Sequence, residues 1–452
     1  MTPTSSERRT IWGWAFYDWA NSAFATTVMG VFFPGFFKQV WSQGVDANLS
    51  TARLGLGSAS ASLIVALLAP VLGAIADRSQ RRKRMLILFT YLGVVMTAGL
   101  VFLPDGYWRS ALFIYALAYI GYAGAMVFYD AMLPQIAPAA SLDQVSSLGY
   151  ALGYLGGGLL LVANVFMAVK PHTFGIADTD TAIRLCFASV AVWWGLFALL
   201  TFAWTPADPQ GQRPTLRRQI GAGWRQLIST FTKIRKLKTI MLFLLAYWCY
   251  IDGVDTIIKM AVDFGMSLGF EFKDLVLAFL MVQFIAFPSA LAFGQLGRYW
   301  GVRRSIYLAL CIYIFVTLWG ANMSRVSEFY VLAAVIGLVQ GGIQALSRSY
   351  YARFIPKGLN AEFFGFYNML GKFSAVVGPA LMGLTGLVVR RWLLPIDPTA
   401  EQLRAVGLQA TRSSIVAVLV LFFAGALLLY FVDEARGKQE ADAFEAKDAG
   451  KK

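Results

Sequence analysis

Charged residues are scarce in this chain of 452 residues: they make up 14% of it, and hydrophobic residues make up 58%. Soluble globular domains carry about 25% charged residues, so this composition excludes an ordinary soluble protein. Apolar runs such as residues 62–76 and 414–432 are long enough to cross the hydrocarbon core of a bilayer, or nearly so. The sequence therefore predicts a polytopic membrane protein.

Residues that commonly carry enzyme chemistry are also few. The single histidine, His172, falls in a predicted loop, and the cysteines Cys186, Cys249 and Cys311 lie far apart in apolar segments. This spacing gives neither a disulfide framework nor a metal-ligand set. Residues 365–373 resemble a phosphate loop but have five residues between the glycines and a phenylalanine after the lysine. We therefore expect no cofactor, no metal site, no ATP-driven pumping and no enzymatic activity.

The apolar segments predict an all-α membrane protein with twelve transmembrane helices. Lys and Arg are concentrated in the termini and the even-to-odd connections, which marks that side as cytoplasmic and places both termini inside. The net charge of +14 is then a topology signal, with attraction to anionic lipid headgroups as a by-product, and no nucleic-acid binding is expected. The expected spans are 11–37, 54–76, 85–103, 110–131, 145–169, 184–204, 240–262, 272–293, 305–322, 328–349, 362–389 and 412–432.

The two halves of the chain echo each other. YDWAN (17–21) matches IDGVD (251–255), and two further pairs of motifs follow in the same order, which indicates duplication of a six-helix unit. A polar connection at 205–239 separates the two halves. Its second half forms either a basic amphipathic helix on the inner membrane surface or a plain linker. The expected domains are an N-terminal six-helix bundle at 1–204, a cytoplasmic basic linker at 205–239, a C-terminal six-helix bundle at 240–436 and a disordered cytoplasmic tail at 437–452.

Two motifs carry a family resemblance. GAIADRSQRRKR (73–84) resembles the loop signature of the major facilitator superfamily, G-x-x-x-D-R-x-x-R-R. YDWANSAFATTV (17–28) resembles the first-span signature of its vacuole-effluxer-like branch, which includes the autophagy-related amino-acid effluxer of fungal vacuoles and many bacterial relatives. The resemblance implies two parallel six-helix pseudo-repeats, a monomer, a bacterial cytoplasmic (inner) membrane, and a central cavity lined by spans 1, 4, 7 and 10.

The loop signature also suggests a gate. Asp77 is expected at the cytoplasmic end of span 2, where the N-terminus of span 11 offers partial positive charge. An aspartate docked there would hold the inner side closed, and Gly73 would let the helices approach closely; the alternative is a basic loop set by orientation alone. Asp130 and Arg348 are a candidate ion pair at the same side. The predicted cytoplasmic gate comprises Gly73, Asp77, Arg78, Arg81, Asp130 and Arg348.

Polar side chains recur at helical spacing on the spans expected to line the cavity. A charged side chain at the centre of a helix in lipid costs roughly 2.5–3.5 kcal/mol, so such groups normally face a bundle interior or a cavity. Asp18 and Asn21 share one helix face, and Asp252 and Asp255 repeat the pattern. The predicted substrate and proton pathway comprises Asp18, Asn21, Tyr122, Asp252, Asp255, Lys259, Gln340 and Gln344.

These groups also have structural alternatives. Asp255 and Lys259 are four residues apart, a spacing that suits a neutralising intrahelical pair. Asp18 has no evident cation in its own helix, so it either carries a proton, binds a substrate ammonium group or is hydrogen-bonded to its neighbours. A small-residue face on span 5 suits close helix contact more than substrate binding. It consists of Gly149, Gly153 and Gly157.

Together these features predict a secondary active transporter that moves a small polar solute by alternating access with proton coupling. An amino acid is compatible with this prediction, since the pathway offers both anionic and cationic partners. The expected partners are the solute, a proton and membrane lipids. The alternative is a non-transporting receptor or regulator that uses the same fold.

Overall fold

The structure, a computed structural model, describes residues 4–45, 47–79, 81–208, 229–395 and 399–449. Every regular element in these ranges is helical, and twelve helices are long and apolar enough to cross a membrane. The predicted all-α membrane fold with twelve spans is confirmed.

The first helix is longer than predicted and changes its winding. α1 is Ser5–Ala23, and it continues through wide π-helical turns at Phe24–Phe32, α-helical turns at Phe33–Phe36 and π-helical turns at Phe37–Trp41. A π turn has more residues than an α turn, so the 3.6-residue spacing used to predict a polar face holds only up to Ala23. The following helices are α2 Ala47–Ser79, α3 Arg82–Gly99, α4 Trp108–Ile136, α5 Leu142–Val169 and α6 Thr179–Trp204.

The second set of spans begins after the polar connection. Its helices are α7 Lys238–Ser267, α8 Phe272–Trp300, α9 Val302–Asn322, α10 Val326–Ala352, α11 Asn360–Leu393, and α12, which runs over Ala400–Ala417 and Leu419–Tyr430. A capping box between Thr399 and Gln402 starts α12 by satisfying backbone N–H groups that the helix itself leaves without acceptors.

The chain divides into two compact units. The first unit is Met1–Lys233 with Ile355–Met369, and the second unit is Ile234–Phe354 with Leu370–Lys452. The units differ from the predicted bundles because the described end of the linker and the first part of α11 belong to the first unit. The amphipathic helix predicted for the second half of the linker begins in residues that lie outside the described ranges, and residues 229–236 of it are helical.

The helices of each unit pack in the same order. In the first unit α2 and α3 pack on α4, while α1 and α3 pack on α6; in the second unit α8 and α9 pack on α10, while α7 and α9 pack on α12. This repeated pattern supports the predicted duplication. In the first unit the small-residue face of α5 lies against α1, since a Cβ on Gly153 would come within 2.7 Å of Ser22 Oγ.

The C-terminal tail is helical where the sequence analysis predicts disorder. α13 is Glu434–Ala449, so that prediction is wrong for the described part of the tail. Its Ala, Glu and Lys residues are strong helix formers, and Lys438 pairs with Glu434 at 2.7 Å one turn away. Glu440 Oε2 also accepts a hydrogen bond at 2.9 Å from the backbone N–H of Thr239 at the start of α7, which docks the tail on α7 within the second unit.

Candidate functional site

Asp18 is buried in α1 and held by an aromatic frame from α4. The Tyr129 hydroxyl donates a hydrogen bond to Asp18 Oδ2 at 2.7 Å. Trp14 Nε1 in turn donates to the backbone carbonyl of Tyr129 at 2.9 Å, and the two rings stack with centroids 4.4 Å apart. Sequence reasoning selected Asp18 but did not identify Tyr129 as its partner. The frame fixes the direction of a carboxylate that can receive a cationic group.

The other predicted pathway residues of the first unit lie on the same two helices. Asn21 is buried, and its Nδ2 lies 3.1 Å from Met126 Sδ. The Tyr122 ring packs against Phe24 and Trp194, with centroid separations of 5.4 and 6.2 Å. Asn21 therefore interacts with α4, the helix whose Tyr129 donates the hydrogen bond to Asp18.

A close helix crossing joins α2 to the first turns of α11. A Cβ on Gly73 would lie 1.9 Å from the carbonyl oxygen of Ala361, and a Cβ on Gly365 would lie 2.6 Å from the carbonyl oxygen of Ala69. Real Cβ atoms do not approach backbone atoms so closely, so both helices need glycine at these positions. The close approach that the sequence analysis expects of Gly73 is therefore present.

Asp77 caps the N-terminus of α11. Its Oδ1 accepts a hydrogen bond from the Ala361 N–H at 3.1 Å and its Oδ2 accepts one from the Glu362 N–H at 2.7 Å. Arg82 Nε donates to the same carboxylate at 2.9 Å, and the Asp77 side chain is only 4% exposed. A carboxylate at this place is stabilised by N–H groups without helical partners and by the helix dipole. The docking predicted for Asp77 is thus observed.

The remaining arginines of the loop signature contribute less to this contact. Arg81 precedes α3 as its N-cap residue, and its backbone carbonyl accepts a hydrogen bond from Met85 N–H at 3.0 Å. The side chain of Arg78 lies outside the described residues. Arg82, which the predicted gate did not include, is the arginine that pairs with Asp77.

Glu362 extends the Asp77 contact to the linker. Its carboxylate is buried, accepts a close hydrogen bond from the Thr230 hydroxyl and pairs with Lys233 Nζ at 3.1 Å. Sequence reasoning missed Glu362, Thr230 and Lys233. The available signal was an acidic residue in the first turn of a membrane-spanning helix, which a linker cation could neutralise.

Asp130 and Arg348 are both buried, each within its own unit. Asn368 Nδ2 of α11 donates a hydrogen bond to Asp130 Oδ2 at 3.0 Å within the first unit. Arg348 is fully buried on α10. Their pairing stays a prediction, while Asn368 is a contact that the sequence analysis did not anticipate.

Asp252 is buried on α7 in the second unit. Its Oδ1 accepts hydrogen bonds from the Gly378 N–H at 2.9 Å and from the Thr256 hydroxyl at 3.4 Å. Further along α7, Lys259 Nζ lies 3.7 Å from Asp255 Oδ2, which is the intrahelical pair that the spacing predicts. The second unit therefore holds one buried carboxylate beside one internally neutralised pair.

Gln340 lies at an apolar pocket within the second unit. The pocket has a cavity volume of about 90 Å³ and is lined by α7, α8, α9, α10 and α12. Its walls include Ile257, Phe264 and Leu332, and Gln340 is its polar lining residue. Gln344, one turn further along α10, is half-buried. The structure thus places one predicted pathway residue, Gln340, in the wall of an apolar pocket.

Comparison with known proteins agrees with this architecture. The sequence profile described as "Vacuole effluxer Atg22 like" matches residues 6–53 and 56–386. The chain is 34% identical over 427 residues to an uncharacterized MFS-type transporter, YxiO, of Bacillus subtilis, with 93% of this chain and 94% of the relative covered. It is 24% identical over 581 residues to autophagy-related protein 22-1 of Penicillium rubens, with 98% and 93% covered.

Solved structures share the fold at low sequence identity. The human organic anion transporter MFSD10 superposes with a TM-score of 0.69 at 13% identity, covering 94% of this chain and 99% of the other. The proton:xylose symporter XylE superposes with a TM-score of 0.68 at 16% identity, covering 97% and 98%. Both likenesses concern the fold alone.

Proposed function

Because the chain belongs to the vacuole effluxer Atg22-like family of the major facilitator superfamily, we propose that it carries a small polar solute across the membrane by proton-coupled alternating access. It is an integral multi-pass membrane transporter and not an enzyme. We propose below which class of solute it carries and which residues bind that solute.

The observation that carries the proposal is the buried Asp18 carboxylate. Tyr129 orients it at 2.7 Å, and ionisable groups kept inside a membrane protein commonly mark a substrate or ion path. We assign Asp18, with Asn21 and Tyr122, to the solute site of the first unit. Asp18 suits an ammonium group, because a desolvated carboxylate forms strong charge-assisted hydrogen bonds with a cation.

An amino acid is the solute class that the second unit supports best. Lys259 and Asp255 offer opposite charges 3.7 Å apart, so a solute carboxylate could exchange with Asp255 for the lysine. Gln340 and Gln344 supply neutral hydrogen-bonding groups, and the apolar pocket beside Gln340 can receive an apolar side chain. A neutral amino acid with an apolar side chain fits all three features.

The contact between Asp77 and α11 suits a gate on the side predicted to be cytoplasmic. Its hydrogen bonds to the α11 N-terminus can form and break as one group, because they all start from a single carboxylate. Glu362 and Lys233 would fasten the linker to the same turn. The pair of Asp130 and Arg348 would close the same side. In this scheme both termini are cytoplasmic, the membrane is a bacterial inner membrane, and the working form is a monomer among lipids.

The test is solute binding followed by flux. Purified protein is screened by thermal shift against amino acids, peptides, sugars and lipids, and the stabilising compound is then used for exchange in proteoliposomes. Asp18→Asn should abolish stabilisation by the compound, whereas the control Asp105→Asn, an exposed carboxyl paired with Arg184 at 2.7 Å, should preserve it. Unchanged binding by Asp18→Asn would remove Asp18 from the site, and binding without exchange would favour the receptor alternative.

A further inference from the structure

The two carboxylate oxygens of Asp252 differ in their hydrogen bonding within the described residues: Oδ1 accepts hydrogen bonds and Oδ2 is buried without one. The side chain is 1% exposed, Oδ1 accepts from Gly378 and Thr256, and Oδ2 is buried with no hydrogen-bond partner among the residues that the structure describes. Leaving a buried charged oxygen without a partner is costly, so buried polar groups are almost always paired. An oxygen kept in this condition points to a ligand that the protein binds and releases.

Two other buried aspartates of the predicted pathway and gate lack this feature at the corresponding oxygen. Asp18 Oδ2 accepts from the Tyr129 hydroxyl at 2.7 Å, and Asp130 Oδ2 accepts from Asn368 at 3.0 Å. Both carboxylates are therefore held by neutral side-chain donors. Asp252 accepts from the neutral Thr256 hydroxyl as well, but its shorter hydrogen bond comes from a backbone N–H of α11, a group whose availability depends on the shape of that helix.

The α11 segment at Asp252 is built to bend. A Cβ on Gly378 would lie 1.8 Å from Thr256 Oγ1, so the helices approach as closely as they do only because this residue is glycine. Pro379 follows at once, and proline has no N–H to donate to the carbonyl one turn earlier. Helices kink at such positions. The Asp252 bond to Gly378 therefore sits at the natural hinge of α11.

Among the described residues, Asp252 makes no ion pair, and the charged groups near it must be considered helix by helix. Asp255 and Lys259, the charged groups of α7 that act on it, neutralise each other. Of the helices packed on α7, α12 carries its charges, among them Arg412, in its first part Ala400–Ala417 and none over Leu419–Tyr430, and α8 and α9 carry their charges at their ends. The charged helix α13 contacts the start of α7 through Glu440. Arg348 on α10 and Lys372 on α11 are further cations on neighbouring helices among the described residues. A bound cation would complete the site.

We propose that Asp252 binds the coupling cation of this transporter at Oδ2, and that cation binding weakens the Oδ1 bond to Gly378 and so releases the hinge of α11. The candidate ions are a proton and a sodium ion, which share the need for a desolvated carboxylate oxygen. A neutral carboxyl accepts hydrogen bonds about half as strongly as a carboxylate. A cation bound at Oδ2 therefore weakens the hydrogen bond that Oδ1 accepts from Gly378. Cation binding at Asp252 does not depend on the proposed transport function. Only the role of that cation in driving transport rests on it.

Infrared difference spectroscopy tests cation binding without knowledge of the solute. Full-length protein in lipid nanodiscs is titrated with acid, and the carbonyl stretch of a protonated carboxyl is recorded for the wild type, Asp252→Asn and Asp255→Asn. We expect a titrating band in the wild type, its loss in Asp252→Asn and its retention in Asp255→Asn. A second series replaces choline chloride with sodium chloride at constant pH. A sodium-dependent carboxylate band that Asp252→Asn removes would identify sodium as the ion.

Two further variants and one control variant keep the result decisive if Asp252→Asn does not fold. Asp252→Glu retains a carboxyl and should shift the titrating band without removing it. Gly378→Ala should shift the same band because it forces α11 away from Thr256, whereas Gly383→Ala in the same helix has open space around it and should leave the band unchanged. Spectra of the Asp252 variants that match the wild type in both series would overturn the site.

Transport measurements separate this proposal from the function on which it rests. If the infrared bands behave as expected but no solute is carried, only the transport proposal fails. If solute is carried and Asp252→Asn still accumulates it against a gradient as the wild type does, the cation site fails and the transport function stands. We expect Asp252→Asn to retain solute exchange and to lose accumulation.

Discussion

Replacement of Asp77 by asparagine should release the N-terminus of α11. Asp77→Asn leaves one acceptor oxygen for the two N–H groups of Ala361 and Glu362, which the carboxylate binds at 3.1 and 2.7 Å. A hydrogen bond to a charged group contributes about 1.5–3 kcal/mol, and the 4% exposure of Asp77 gives little reason to discount it. A loss of about 2–3 kcal/mol corresponds to a roughly 30- to 160-fold rise in the opening equilibrium of this turn.

Hydrogen exchange measures that opening directly. Protein in nanodiscs is labelled in deuterated buffer, and exchange at the amides of Ala361 and Glu362 is resolved by fragmentation mass spectrometry. The matched control is Asp178→Asn, which removes another helix-capping carboxylate whose Oδ1 accepts from Thr181 N–H at 2.8 Å. The control retains the Oδ1 acceptor for Thr181 N–H and should leave the exchange of the α11 amides unchanged. Wild-type protection of Ala361 and Glu362 in Asp77→Asn would refute the reasoning.

Three further predictions concern packing, orientation and pH. Gly73→Ala should lower thermal stability by several degrees because its Cβ meets a backbone carbonyl at 1.9 Å, whereas Gly55→Ala in the same helix meets nothing and should be neutral or slightly stabilising. Tyr129→Phe should weaken solute binding about tenfold, measured by titration, because the Asp18 carboxylate loses an orienting donor; equal affinity would make the hydroxyl dispensable. Burial raises the pKa of Glu434, but the hydrogen bond from Lys438 and the pairing with Arg353 together lower it by more, so the pKa lies below the ordinary 4.5. The resulting stability of α13 is full above the unfolded-state pKa and is lost as pH falls through the folded pKa, so Glu434→Gln should flatten the acid limb of a plot of melting temperature against pH.

The fold was readable from the sequence because the bilayer constrains it so strongly. A span must be apolar over about 20 residues and must make its backbone hydrogen bonds internally, so each span can be predicted from a local stretch of sequence. The winding of α1 was not readable, since π-helical turns at Phe24–Phe32 leave no simple periodicity. The tail was misjudged because its polar composition was weighed without its helix propensity and its contact with Thr239.

Site residues were predictable where the signal was local. Asp77 follows a glycine at motif spacing, and Asp255 with Lys259 are one turn apart, so both contacts could be expected before the structure. The partner of Asp18 lies 111 residues away, and Lys233 reaches Glu362 over 129 residues. Such pairings depend on how helices pack, which no local pattern in the sequence encodes.

Proteoliposomes with an imposed pH gradient provide the most direct test of the central claim. Our account predicts that the stabilising solute accumulates inside to more than its external concentration, that a protonophore abolishes this accumulation, and that Asp252→Asn retains exchange without accumulation. Saturable binding with no accumulation under any imposed gradient would contradict the account and identify the chain as a receptor built on a transporter fold.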